Sequence, residues 1–109
     1  MNSQETKYKQ FKITVFEELE NKSTISASTV KAGKTVEITG DAEGGNGPYE
    51  YAFYYKRGNA SSWTTKAEMG KAASIELSPY YADTYTVKVD VKDSSGTTKS
   101  KTFTIKSVK

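Results

Sequence analysis

Apolar and polar residues alternate with a period of two along most of the chain. Val36 and Ile38 alternate with Thr35, Glu37 and Thr39. Ile75 and Leu77 flank Glu76, and Tyr85, Val87, Val89 and Val91 alternate with Thr86, Lys88, Asp90 and Lys92. Phe103 and Ile105 alternate with Thr102, Thr104 and Lys106. Successive side chains of a strand point to opposite faces, so each run predicts a strand with one buried face. No segment keeps a helical period for three turns, and Glu17 to Lys22 allows one helical turn at most. Turn-forming residues separate the runs: Ala32-Gly33-Lys34, Gly44-Gly45-Asn46-Gly47-Pro48, Gly58 to Ser62, and Asp93-Ser94-Ser95-Gly96. Short strands at this spacing predict an all-β antiparallel sandwich of about seven strands. They fall near residues 24–30, 35–40, 49–57, 63–67, 72–78, 84–93 and 98–107.

Between Pro48 and Lys56 the alternation turns aromatic. Tyr49, Tyr51, Phe53 and Tyr55 occupy odd positions, and Glu50, Ala52, Tyr54 and Lys56 even ones. The charges must face water, so Tyr51, Phe53 and Tyr55 should face the core and Tyr54 should point outward. In an immunoglobulin-like or fibronectin-III-like sandwich this is the central third strand. Tyr85, at the start of the sixth, then stands where a tyrosine corner forms, its ring in the core and its hydroxyl bonded to nearby backbone.

One run is surplus. Phe11, Ile13 and Val15 alternate with Lys12 and Thr14, and Lys7, Lys9, Phe11 and Ile13 match Lys99, Lys101, Phe103 and Ile105 at an offset of 92 residues. That offset is about one such domain plus a linker. Residues 1–19 therefore read as an orphan strand and linker from a preceding repeat, with Glu17–Ser23 as the inter-domain linker. Residues 20–109 read as the sandwich domain.

Composition supports strands and narrows the chemistry. Val and Ile total 12 against 2 Leu, with 26 Thr and Ser and 8 Tyr, which suits a pleated surface. The 109 residues make one domain. With no Cys and no His, thiolate nucleophiles, Ser-His and Cys-His triads and His-ligated zinc are excluded. The Gly44–Pro48 loop leads into a strand, whereas a phosphate cradle needs a helix N-terminus. Asp41 and Glu43 lack the spacing of a calcium loop. The chain therefore reads as non-catalytic, with no cofactor and no metal. The net charge of +3 comes from lysines scattered beside acids, with Arg57 the single arginine, so nucleic acid is not an expected partner. No run approaches the roughly 18 apolar residues of a spanning helix, so membrane insertion is not expected either. The N-terminus is polar and is not a signal peptide; if the protein is exported, its targeting segment lies elsewhere.

Three segments together carry a resemblance. Residues 44–56 (Gly-Gly-Asn-Gly-Pro-Tyr-Glu-Tyr-Ala-Phe-Tyr-Tyr-Lys), then Trp63-Thr64-Thr65, then residues 83–93 from Asp83 to Asp93, are similar to the triple-tyrosine and immunoglobulin-like repeats of Gram-positive, Clostridium-like surface proteins. The similarity runs over about residues 20–109, and the motif tyrosines match Tyr51, Tyr55 and Tyr85. The resemblance implies a tandem repeat with a structural or adhesive role in an exported, multidomain bacterial protein, located extracellularly or at the cell surface. Its partners would be neighbouring repeats, a glycan, or a host or cell-wall protein. The family defines no catalytic residues.

Aromatic side chains outside the core are the candidate contacts, because sugars stack on exposed rings and protein partners use Tyr and Trp as anchors. These are Tyr54, Trp63, Tyr80 and Tyr81. The competing reading packs Trp63 on the outer sheet face and uses Tyr80 or Tyr81 to plug the sandwich end. The alternative function is a carbohydrate-binding accessory module using Trp63 and Tyr54.

Overall fold

The computed structural model describes residues 17–109, so the strand expected over 7–16 lies outside the described residues. Ten strands follow in order: β1 (Glu20–Asn21), β2 (Thr24–Ile25), β3 (Thr29–Lys31), β4 (Val36–Thr39), β5 (Ala42–Glu43), β6 (Glu50–Arg57), β7 (Thr64–Gly70), β8 (Ser74–Leu77), β9 (Thr84–Lys92) and β10 (Thr98–Val108). A five-stranded sheet in the order β3-β10-β9-β6-β7 faces a three-stranded sheet in the order β2-β4-β8, and β1 pairs with β5. The fold is an all-β sandwich, as the alternation predicts.

The count exceeds seven for two physical reasons. The strand expected over 24–30 is two strands in different sheets. Ser26 still bonds Glu37, its N–H donating to the Glu37 carbonyl at 2.9 Å and its Oγ accepting from the Glu37 N–H at 2.9 Å, whereas the Ser28 carbonyl already accepts from the Lys106 N–H at 2.8 Å. The chain crosses between sheets at Ala27. Beyond the crossing β3 runs parallel to β10, pairing Thr29, Val30 and Lys31 with Lys106, Ser107 and Val108, so the pairing is not antiparallel throughout. The β1–β5 pair supplies the remaining elements.

The core lies between the two large sheets. Val36, Ile38, Phe53, Val87, Val89, Val91 and Ile105 are fully buried, with Leu77 and Tyr85 nearly so. Tyr51 and Tyr55 are half-buried and pack against this cluster, on the inward side assigned to them. Gly40 marks one close approach: a Cβ there would lie 2.5 Å from Cδ1 of Tyr51, so only hydrogen fits beneath that ring. Ala52, at an even position, is also fully buried. It is paired with Asp90 on one side and lies at the irregular stretch of the β6–β7 ladder on the other.

The segment Glu17–Ser23, expected as a linker, instead packs on the sandwich. Leu19 is 3% exposed and belongs to the core cluster. The Asn21 side-chain amide donates to the Val89 carbonyl at 2.8 Å and to the Lys99 carbonyl at 3.0 Å, tying β1 across the β9–β10 ladder. Lys99 Nζ meets Glu18 Oε2 at 2.8 Å, and Glu17 O accepts from the Gly45 N–H at 2.6 Å. Gly45 has φ +62, and a Cβ there would crowd Asp93 and Leu19, so glycine is needed for both conformation and space.

Candidate functional site

The strand pattern delivers two aromatic groupings and one polar loop cluster. The first grouping sits at the pole where β10 ends, on the connection from Ser78 to Asp83. Pro79 is fully buried and its carbonyl accepts from the Gly33 N–H at 2.7 Å. The Tyr85 hydroxyl accepts from the Tyr81 N–H at 3.2 Å and donates to the Tyr81 carbonyl at 3.3 Å, the tyrosine corner that position 85 predicts. Asp83 and Ser107 exchange both backbone hydrogen bonds, at 3.0 and 2.8 Å. This backbone is held at Pro79, Tyr81 and Asp83, yet Tyr80 and Tyr81 remain 75% and 53% exposed. Their rings stand at 88° with centroids 5.0 Å apart. Neither plugs the sandwich end.

Register brings a charged pair to the same place. β6 pairs with β9 so that Arg57 faces Tyr85 across the ladder. The Arg57 guanidinium carbon lies 4.0 Å from the Tyr81 ring centroid, and its Nε donates to Asp83 Oδ2 at 2.9 Å. The Thr84 N–H, at 2.7 Å from Oδ1, and the Arg57 guanidinium hold the Asp83 carboxyl below its ordinary range. A cavity of 320 Å³ opens here, bounded by Tyr55, Arg57, Pro79, Tyr80, Tyr81 and Tyr85 among others.

The second grouping lies on the outer face of the five-stranded sheet. Tyr54 pairs with Lys88 on one side and Thr65 on the other. Lys88 Nζ stands 4.8 Å from the Tyr54 centroid and 5.1 Å from that of Trp63, while Lys56 Nζ stands 4.6 Å from Trp63. Both rings are half-buried. Two ammonium groups therefore address the indole, each contact worth about 0.5–1 kcal/mol at an exposed site. The four predicted aromatics fall into these two separate groups.

The opposite pole carries the polar cluster. Asp93 Oδ1 accepts from Ser95 N, Ser95 Oγ and Thr97 N at 2.7–3.0 Å, and Oδ2 accepts from Asn46 N at 3.1 Å. These bonds, Ser95 Oγ foremost, lower its carboxyl from the ordinary value. Ser94 Oγ donates to Asn46 O at 2.8 Å, so the 44–48 and 93–97 loops are joined. A cavity of 440 Å³ beside them is lined by Pro48, Tyr49, Lys71 and Lys92 among others. Three of its lining side chains have structural duties: Asp93 and Ser94 join the loops, and the Tyr49 hydroxyl donates to Gly44 O at 2.6 Å. Asp41 Oδ1 accepts from Ala42 N at 2.9 Å, and Glu43 faces Lys22 at 3.9 Å.

No family model matches the chain, and no curated protein matches it. The resemblance to triple-tyrosine repeats thus rests on the residues that carry it.

Sequence reasoning did not single out Arg57 as a partner of Tyr81, nor Asp93 as the loop anchor. Arg57 had a visible signal: it ends the aromatic strand and is the chain's only arginine. Asp93 had the Asp-Ser-Ser-Gly turn pattern, in which Asp commonly bonds backbone two residues on.

Proposed function

We propose that this chain is a non-catalytic structural and adhesive module of an exported, multidomain bacterial cell-surface protein. The resemblance of residues 44–56, 63–65 and 83–93 supports the setting. The observation that carries the role is the path of the chain. Glu17 sits at the pole of the Gly44–Pro48 and Asp93–Thr97 loops, through its bond to Gly45. Val108 sits at the opposite pole, where its carbonyl accepts from the Ala32 N–H at 2.6 Å. The 11 residues of β10 connect the two, a span of about 35 Å at strand rise.

This path suits a spacer under load. Tension drawn between Glu17 and Val108 pulls β3 and β10 past each other, because the strands are parallel and are pulled in opposite directions. Their hydrogen bonds then lie across the force and must yield together. The test is single-molecule unfolding of the chain pulled through Glu17 and Val108, compared with pulling through Glu17 and Ser95, which lie at one pole. The pole-to-pole direction should require clearly higher force, and Ala32→Pro, which removes the donor to Val108, should lower it. Equal forces in both directions would refute the mechanical role.

A second reading is a carbohydrate-binding accessory module. The exposed Tyr80–Tyr81 pair is the observation that favours it.

A further inference from the structure

We infer that the pole formed by Tyr80, Tyr81, Arg57 and Asp83 is a binding site for a neutral pyranoside, with Tyr80 as its stacking platform. The inference rests on the carbohydrate-binding reading and not on the mechanical one. It moves the site away from Trp63 and Tyr54.

A pyranose ring presents an apolar C–H face and a rim of hydroxyls. It is held where a flat aromatic face is open to solvent and paired donors and acceptors stand at its edge. Tyr80 meets the first requirement, being 75% exposed. The perpendicular Tyr81 ring, 5.0 Å away, makes an inside corner with it. Arg57, which lines the cavity beside Tyr81 and is paired with Asp83, meets the second requirement. Their charges cancel, which favours an uncharged ligand over a phosphate or sulfate. The 320 Å³ cavity is at the small end of ligand sites, the scale of one or two sugar rings.

The site is also built in advance. The bonds of Pro79 to Gly33, Tyr81 to Tyr85 and Asp83 to Ser107 fix the backbone beneath the rings. Little ordering entropy is then lost on binding. Nothing in core packing requires two tyrosines to be this exposed. Area argues against a protein partner: two tyrosine side chains offer roughly 300–500 Å², and a standard interface buries about 800 Å² per side. The Trp63 and Tyr54 rings are the poorer platform, because lysine ammonium groups already stand over them.

The test is an amide-resolved NMR titration of the full chain with cellohexaose, maltohexaose, chitohexaose and mannohexaose, with a heparin hexasaccharide as the anionic comparator. At least one neutral oligosaccharide should shift the amides of Arg57, Tyr80, Tyr81 and Asp83. Tyr80→Ala should weaken that binding at least tenfold with the thermal midpoint unchanged, and Tyr80→Trp should retain it. Binding that survives Tyr80→Ala, or that is lost instead in Trp63→Ala, would overturn the site while leaving the carbohydrate reading standing. Binding of heparin alone, self-association through this pole, or no response to any of the neutral sugars would overturn both.

Discussion

The Tyr85 hydroxyl makes a two-way hydrogen bond with the backbone of Tyr81, accepting from its N–H at 3.2 Å and donating to its carbonyl at 3.3 Å. One phenol thus anchors the loop that displays the exposed tyrosines to the core strand β9. The N–H···O distance is at the long end of its usual range and the O–H···O distance lies just beyond it, which places the pair on the weak side. Tyr85→Phe should cost about 1–2 kcal/mol with the fold retained, as the ring stays in place and the Tyr81 backbone loses its partner. Urea unfolding of the two proteins checks this, and an unchanged midpoint would show that water replaces the hydroxyl without loss.

Leu19 tests whether the segment before β1 is part of the folded unit. It is 3% exposed against the core, so Leu19→Ala should cost about 2–4 kcal/mol, as buried leucine truncations do. Glu18→Ala, beside it, removes an ion pair with Lys99 whose carboxylate partner is 78% exposed. That change should leave stability nearly unchanged, because solvent screens an exposed ion pair. Chemical denaturation of both variants separates core packing from surface pairing.

The central strand offers a test of orientation. Phe53 is fully buried, so Phe53→Ala should cost about 3–5 kcal/mol. Tyr54 faces outward under Lys88, and Tyr54→Ala should cost about 1 kcal/mol or less. A larger loss at Tyr54 than at Phe53 in the same unfolding assay would reverse the two faces of β6.

Asp93 makes stability depend on acid. Its folded pKa is depressed, first by Ser95 Oγ and then by backbone N–H groups. Such a carboxyl contributes stability that is fully present above its unfolded pKa of about 3.9 and is lost as pH falls through the lower folded value. Thermal midpoints should therefore fall below about pH 4. Asp93→Asn should be less stable at pH 7 and should show a shallower decline, since an amide nitrogen cannot accept from Asn46. Parallel pH profiles for the two proteins would remove Asp93 from the account.

Gly40 is a steric prediction. A methyl group there meets the Tyr51 ring at 2.5 Å. Gly40→Ala should cost about 1–3 kcal/mol by overpacking, and the double variant Gly40→Ala with Tyr51→Ala should show a loss smaller than the sum. Additive losses would mean that the ring is free to move aside.

What the sequence determined by itself was whatever a strand's own geometry enforces. Side chains alternate because the backbone is pleated, so Val87, Val89, Val91, Phe53 and Ile105 were legible as core from their neighbours alone. Tyr85 was legible because a corner needs only a strand start and a loop a few residues upstream. Tertiary structure decided the rest, because it turns on residues far apart in the chain. The crossing at Ala27 depends on whether Ser28 finds β10 after Ser26 has left β4, a choice between two sheets that local alternation does not encode. The segment around Leu19 has one apolar residue among charges, and it packs because Asn21 meets carbonyls 68 and 78 residues away. Tyr80 and Tyr81 carried no periodic signal. Their exposure, and the placing of Arg57 beside Asp83 across 26 residues, follow from the β6–β9 register and from the bonds that fix the loop.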